Sequence, residues 1–504
     1  MAIDAIFSWY IEKRIHRIAN YTNNPLFCQE DVLSTLITKA GNTSFGKHHR
    51  FENISSYEDF SASVPIQDYT TLKPFIERAI AGELDVLWPG KTDSFAKSSG
   101  TTGDRVKILP ITNDALHENH FAGGKDLLAN YYLNHPSRKL YSKKHLVIGG
   151  SADLTQKNAN GFIGDLSAII VKNLPWWTEY RRTPSVEIAL NPDWESKLQE
   201  MAKASIPENI GIITGVPSWT LLLIKRVLEL SGKKDLHEVW PNLELYMHGG
   251  MNFAPYEKEF KKLIPSENMN YVDSYNSSEG FFGMQDQLGS KELLLMTDSA
   301  VFYEFIPMDS FDGLNSKIII PLSQVELNTE YALVLSASSG LWRYIIGDTL
   351  HFVSSSPYRF LISGRTTHFI NCFGEKMIVQ HAESALTEVC HRLNAQISDF
   401  TVGPYFNEIG SNGGHEWLIE FDREPASRSN FEEEIDNALK KYNSDYEAKR
   451  YRNMNISFPK FRYLPKGSFE NWLKIKGKLG GQHKVPRLMN DRSIVEELIL
   501  INKL

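Results

Sequence analysis

Cysteine is scarce in this chain. The 504 residues contain three, Cys28, Cys372 and Cys390. Three cannot all pair, and none stands in a Cys-x-x-Cys spacing. Neither a disulfide framework nor a cysteine zinc site is therefore expected. No apolar run approaches the ~20 residues that span a bilayer. The N-terminal stretch MAIDAIFSWYIEKRIHRIANY does not read as a signal peptide, because Asp4 and Glu12 interrupt it and no small-residue cleavage site follows. A reducing cytoplasm is the simplest compartment. Positive charge is not in general excess either. Lys and Arg total 54 against 61 Asp and Glu, a net charge of −7, which gives no overall argument for nucleic acid or an anionic membrane. Repeats and low-complexity segments are absent, and so is the G-x-x-x-x-G-K-[ST] phosphate loop of NTPases.

The chain is 42% apolar and 23% charged, an ordinary globular composition. Its length allows about three domains, or two unequal ones. Ile3, Phe7, Tyr10, Ile11, Ile15 and Ile18 recur at helical spacing, so the N-terminus reads as a docked amphipathic helix, a membrane-surface helix being the alternative. The first 90 residues are mostly helices and turns. HLVIGG (145–150), NIGIITG (209–215) and LELYMHGG (243–250) read as buried strands ending in glycine. The second is followed by a helix with Pro217 near its start and Gly232 near its end. Such strands suggest a mixed α/β sheet with ligands at the strand ends. From 293 to 363, runs such as AVFYEFIPM and LWRYIIGDTLHFV read as antiparallel strands, a barrel-like part. The remainder alternates helix and strand, with helices expected over 374–393 and 431–450. The expected fold class is α/β: a large N-terminal mixed α/β domain, 1–363, and a small mobile α+β C-terminal domain, 364–504.

Three loops carry candidate chemistry. In KSSGTTGDRVKILP (97–110), Ser98, Ser99, Thr101 and Thr102 surround Gly100, with Gly103, Arg105 and Lys107 following. Glycines expose backbone N–H groups, hydroxyls add donors and cations neutralise charge, as a phosphate site requires. A surface turn is the plain alternative. In VDSYNSSEGFFG (272–283), Glu279 follows a hydroxyl pair, which suits a hydrated Mg²⁺; an ordinary polar loop is the alternative. In LWRYIIGDTL (341–350), Asp348 could accept the two hydroxyls of a ribose, or be a turn aspartate. His117-x-x-His120 invites a zinc reading, but no third ligand accompanies it. Residues 440–492 hold fourteen Lys or Arg against four acids, a local excess of +10. A solvated face, polyphosphate and nucleic acid are all open readings of that excess.

Taken in this order, the loops resemble the motifs of the adenylate-forming superfamily. More closely they resemble the Gretchen Hagen 3, auxin-responsive family of acyl-acid amido synthetases. KSSGTTGDRVK is similar to its phosphate loop, YNSSEG to its second motif and WRYIIGD to its third. GGQHKVPRL (480–488) is similar to the stretch holding its mobile lysine, here Lys484. PNLELYMHGG (241–250) is similar to the segment lining the adenine. The wording of YNSSEGFFG and GGQHKVPRL is nearer the bacterial branch than the plant enzymes.

The resemblance implies the adenylate-forming fold and a two-step reaction. ATP and a carboxylic acid give an acyl-adenylate and pyrophosphate; an amine, usually an amino acid, then takes the acyl group and releases AMP. It implies that Ser98, Ser99, Gly100, Thr101, Thr102 and Lys107 hold phosphates. Glu279 would orient Mg²⁺, and Asp348, assisted by Arg365, would hold the ribose. Tyr275 and Ser277 would lie by the adenine and the α-phosphate or carboxylate, with Ser278 also on the nucleotide. Gly249, Gly250 and Met251 would line the adenine side. Lys484 would bridge charge between carboxylate and α-phosphate, on a small domain swinging about 363–366. Segments 147–154, 173–183 and 214–227 are the expected acyl-pocket walls, with Trp176, Trp177 and Trp219 able to stack on an aromatic acid. The implied partners are a carboxylic acid and an amine, with neither nucleic acid nor a membrane span. An acyl-CoA ligase and a nucleotide-binding protein without turnover are the alternatives.

Overall fold

The computed structural model describes residues 2–98, 107–136, 140–149, 157–158, 161–250, 253–366, 369–375, 377–407, 413–453, 455–476 and 485–503. Ser99, Gly100, Thr101, Thr102, Met251 and Lys484 lie outside the described residues. The chain divides into two compact units. One comprises Met1–Ser98, Val106–Gly250 and Lys261–Thr366; among the described residues, the other comprises those of Met251–Phe260 and Thr367–Leu504.

The first unit opens with helices whose boundaries follow from capping. Ser56 and Asp59 form a reciprocal cap at the start of the helix Tyr57–Ser63, and Asp68 and Thr71 do the same for Tyr69–Ile80. The helix Ala2–Asn23 docks on the helix Phe121–Asn134. It buries Ile11, Ile18 and Tyr21, each isoleucine contributing about 1.5–3 kcal/mol. Arg14 pairs with the buried Asp126, and Arg17 with Asp298. No described helix is long and apolar enough to cross a membrane.

A 12-stranded sheet forms the frame of this unit. The strands Arg182–Thr183, Lys144–Val147, Ile210–Thr214, Leu245–Gly249 and Asn270–Ser277 lie side by side and parallel. From Asn270–Ser277 onward the sheet turns antiparallel, through Gly280–Met284, Leu293–Leu295, Tyr358–Arg365, Leu341–Ser355, Glu330–Ala337 and Val301–Pro307. The barrel-like part is thus not a separate sheet: its strands continue the parallel ones, joined by the hairpin at 277–280. The helix Pro217–Ser231 starts on its proline and ends at Gly232, whose φ is +66°, as the sequence predicts. A smaller sheet orders Lys107–Ile111, Ser94–Ser98, Gly161–Gly164 and Lys157–Asn158.

In the second unit, the strands Gln396–Phe406, Gly413–Arg423 and Lys460–Leu464 form a three-stranded sheet. Its core centres on Trp417, Phe431, Ile435 and Tyr446. Two helices differ from expectation. The expected helix over 374–393 begins only at Val379, because Gly374 has φ +84° and Met377–Ile378 is a short strand. The expected helix over 431–450 is two, Arg428–Tyr442 and Ser444–Arg450. Asn443, at φ −139°, leaves the helical region, and its side chain accepts the Tyr446 N–H, capping the second helix.

Candidate active site

Each described candidate residue sits where a strand ends, turns or bulges. Ser98 and Lys107 face each other across the antiparallel pair Ser94–Ser98 and Lys107–Ile111. The described segments that flank 99–106 therefore end side by side. Lys107 is buried, and its Nζ lies 3.4 Å from the Tyr344 hydroxyl, to which it donates. Tyr344 is fully buried in the strand Leu341–Ser355.

That strand also carries Asp348. Between its pairings Ile345↔Val334 and Thr349↔Ala332, it advances four residues while its neighbour advances two. The excess bulges out at Ile346, Gly347 and Asp348, and Gly347 has φ +95°. A bulge with glycine in the left-handed region re-aims the side chain beside it. The Tyr275 phenol donates to Asp348 Oδ2 at 2.6 Å, and both residues are buried. A phenol donating to a carboxylate makes a strong, short hydrogen bond and holds that carboxylate in one orientation. On the other side Asp348 pairs with Arg365 in register, and the Thr366 N–H donates to the Gly347 carbonyl. The structure thus brings together Tyr275, Asp348 and the backbone of Arg365, which are dispersed over 90 residues of sequence.

Glu279 occupies the tight turn between Asn270–Ser277 and Gly280–Met284, where Ser277 and Gly280 are partners. The Ser277 hydroxyl donates to the Glu279 carboxylate at 2.7 Å and accepts the Glu279 N–H at 3.2 Å. Ser278 is half-buried, whereas Glu279 is buried. One carboxylate beside one hydroxyl fits an Mg²⁺ that keeps its waters and arrives on a polyphosphate. It does not make a dedicated metal cage, and among the described residues no group of three or more His, Cys, Asp or Glu could hold a metal ion. Among the described residues, no third such side chain joins the His117–His120 pair. His120 is buried and pushed down to about 4 by burial.

Gly249 and Gly250 have structural reasons to be glycine. A Cβ on Gly249 would stand 2.4 Å from the Ser274 carbonyl oxygen, and Gly250 has φ +78°. Ser274 directly precedes Tyr275. Gly249→Ala is therefore expected to displace this strand, costing about 1–3 kcal/mol of stability and weakening ATP binding. A melting temperature and ATP affinity both equal to wild type would refute this.

The expected acyl walls separate by strand direction. The turn Trp176–Tyr180 leads into Arg182–Thr183, which pairs parallel to Lys144–Val147. It therefore sits at the amino ends of the parallel strands, away from Gly249. Trp176 is 75% exposed and packs edge-on to Tyr180 at 6.1 Å. Within segment 173–183, only the turn Trp176–Tyr180 precedes the strand; Thr183 lies at its carboxyl end, beside Leu146. Trp219 does stand at that end, half-buried on the first turn of Pro217–Ser231, just after the strand Ile210–Thr214.

The basic segment is largely paired. Arg450 and Lys440 meet Asp436, Arg462 and Arg492 meet Glu416, and Arg487 meets Asp399. These acids lie on neighbouring elements outside 440–492 and offset part of the local excess.

Comparison with known proteins identifies the family and the fold. The GH3 family N-terminal domain matches residues 14–269, its central domain 294–365 and its C-terminal domain 380–493. Indole-3-acetic acid-amido synthetase GH3.4 of Arabidopsis thaliana is 21% identical over 96% of this chain and 93% of its own. The 4-substituted benzoates-glutamate ligase GH3.12 of the same plant is 22% identical over 96% of each. Among solved structures, the GH3.15 acyl acid amido synthetase in complex with 2,4-DB superposes with a TM-score of 0.64 at 16% identity, covering 98% of this chain and 96% of its own. A 2-hydroxyisobutyryl-CoA ligase has a TM-score of 0.55 at 13% identity over 94% and 91%. The fold is that of the adenylate-forming enzymes, and since the three domains match in order along the chain, the chain belongs to the GH3 family.

Proposed function

We propose that the chain is an ATP-dependent acyl-acid amido synthetase. It adenylates a carboxylic acid and then passes the acyl group to an amine, an amino acid being the acceptor class. The observation that carries this reading is the Tyr275–Asp348 contact at the Gly347 bulge, on the strand that also holds Tyr344 against Lys107. It ties the second and third motifs together and sets the exit of the first beside them.

In the first step a carboxylate oxygen attacks the α-phosphorus of ATP and pyrophosphate leaves. Two anions meet, so catalysis is mainly positioning and charge neutralisation. Asp348, held by the Tyr275 phenol, accepts from the ribose hydroxyls, with Arg365 beside it. Lys107 and the hydroxyls of Ser98, Ser99, Thr101 and Thr102, with the backbone at Gly100, hold the phosphates. Tyr275, Ser277 and Ser278 line the nucleotide near the adenine and α-phosphate. Gly249, Gly250 and Met251 let the adenine approach the backbone closely. When bound, Mg²⁺ neutralises charge on the phosphates, and Glu279 holds it from the protein side. Lys484 neutralises charge between carboxylate and α-phosphate. In the second step the amine nitrogen attacks the acyl carbon, the acyl–phosphate bond breaks and AMP leaves with the electron pair. Division into parts 1–363 and 364–504, with movement about 363–366 between the steps, belongs to this proposal. So does a cytoplasmic location, which suits three free cysteines.

The test is a product screen by mass spectrometry, with ATP, a panel of aryl, indole and fatty acids, all amino acids and coenzyme A in one mixture. An acyl–amino acid product is expected. A thioester alone would favour the CoA ligase reading, and no acid-dependent ATP–pyrophosphate exchange would sink adenylation. For the acyl side, Trp219→Ala is expected to change the kcat/KM ratio between aromatic and aliphatic acids about tenfold. Trp176→Ala should leave that ratio unchanged, and the reverse pattern would return segment 173–183 to the acyl pocket.

A further inference from the structure

The stretch that follows the phosphate loop makes contacts the reaction chemistry does not explain. After the strand Lys107–Ile111, the Thr112 hydroxyl donates to the Ser338 carbonyl at 2.7 Å and accepts the Ala115 N–H. Ser338 lies in the turn leading into Leu341–Ser355. The chain then makes a wide helical turn over Ala115–His120, in which the Phe121 N–H returns to the Leu116 carbonyl five residues back. Such π-turns interrupt a regular helix at some cost and occur frequently at functional sites. This one carries Asn119, which is 2% exposed.

The Asn119 carboxamide is fully used. Its Nδ2 donates to the Phe281 and Ser299 carbonyls, each at 2.9 Å, and its Oδ1 accepts the Phe281 N–H at 2.6 Å. Both backbone groups of Phe281 are thus bound by one side chain, as a neighbouring strand would bind them. The Phe281 ring is seated too, since a Cβ on Gly123 would fall 2.3 Å from it. A Cβ on Gly280 would stand 3.2 Å from Asn119 Oδ1. Phe281 is two residues beyond Glu279, at the foot of the turn that presents it.

We propose that Asn119 is a positioning residue for Glu279: by clamping the backbone of Phe281 it fixes the Ser277–Gly280 turn and so the Glu279 carboxylate. This rests on the role given to Glu279 under the proposed function. Residues 107–121 then act as one bracket, with Lys107 on Tyr344, Thr112 on Ser338 and Asn119 on Phe281. A purely structural asparagine would satisfy the same bonds, but it would not act through Glu279.

The test is a double-mutant cycle on the full chain with Asn119→Ala and Glu279→Gln. It is read by calorimetric titration with ATP, with and without Mg²⁺, and by acid-dependent pyrophosphate exchange. Partners that orient a metal-binding group typically contribute 10–100-fold. Asn119→Ala is accordingly expected to weaken MgATP binding about tenfold and leave metal-free ATP binding unchanged. In the Glu279→Gln background it should cause no further loss. An equal loss in that background, or an equal loss of metal-free ATP binding, would overturn the proposal. Asn119→Asp has the same size and replaces the two donors by an oxygen, so it should reproduce the defect. If both Asn119 variants fail to fold, Asn119 is a stability residue and the proposal is overturned. If the wild type binds MgATP but catalyses no exchange, the functional reading fails while the binding cycle still decides the role of Asn119.

Discussion

Asp348→Ala is expected to raise the ATP concentration needed for half-maximal pyrophosphate exchange by about a hundredfold. Two losses combine. The ribose hydroxyls lose a charged acceptor, and hydrogen bonds to charged groups contribute about 1.5–3 kcal/mol. The Tyr275 phenol also loses its 2.6 Å hydrogen bond to Asp348, which loosens the ribose side of the site. An upper-range loss of about 3 kcal/mol at the ribose hydroxyls is what a hundredfold change needs, at about 1.4 kcal/mol per factor of ten. Tyr275→Phe separates them. It leaves the carboxylate in place and removes only the bond that orients it, so a loss of about tenfold or less is expected. If Asp348→Ala changes ATP dependence no more than Tyr275→Phe does, the carboxylate is a turn residue and the ribose assignment falls.

Lys484→Ala is expected to lower the rate of exchange by about 10²–10³-fold, as loss of one donor to developing charge does. ATP binding should change by less than about threefold, because a lysine that acts only as the carboxylate reaches the α-phosphorus contributes little to the ground state. The second half-reaction offers a control. If Lys484 acts in adenylation alone, the variant should still make amide when supplied with the preformed acyl-adenylate. Exchange near the wild-type rate would remove the lysine from the mechanism. Equal loss of both half-reactions would make its role one of folding.

Much of the frame is legible in the residues. Pro217 and Gly232 bracket a helix, because capping and backbone conformation are local properties. Strands ending at Val147, Thr214 and Gly249 are visible as apolar runs closed by glycine. The helix expected from residue 374 is a failure of the same local kind: its periodicity is helical, but Gly374 at φ +84° keeps the backbone out of the helix until Val379. Direction and register are less legible. Whether Trp176 stands at the amino or the carboxyl end depends on which strand Arg182–Thr183 pairs with and in which sense. The Tyr344 hydroxyl against Lys107 is a contact across 237 residues, and nothing in either segment alone specifies the other. Asn119 stands between His117 and His120, and nothing in its own segment specifies Phe281, 162 residues away, as its partner.

By itself the sequence determined the class of chemistry and the order of its parts. Hydroxyls and glycines before cations, a lone Glu279 after serines, Asp348 after Gly347 and a lysine near the end are statements of residue type, and residue type sets which charges and donors are available. Tertiary structure alone decided which of these act together. The two extra residues at the Gly347 bulge turn Asp348 toward Tyr275, and ion pairs such as Arg462 with Glu416 offset part of the basic segment's charge. The physical reason is that hydrogen bonding acts within a few ångströms and screened charge within about 10 Å, so their partners are set by strand pairing and burial rather than by distance along the chain.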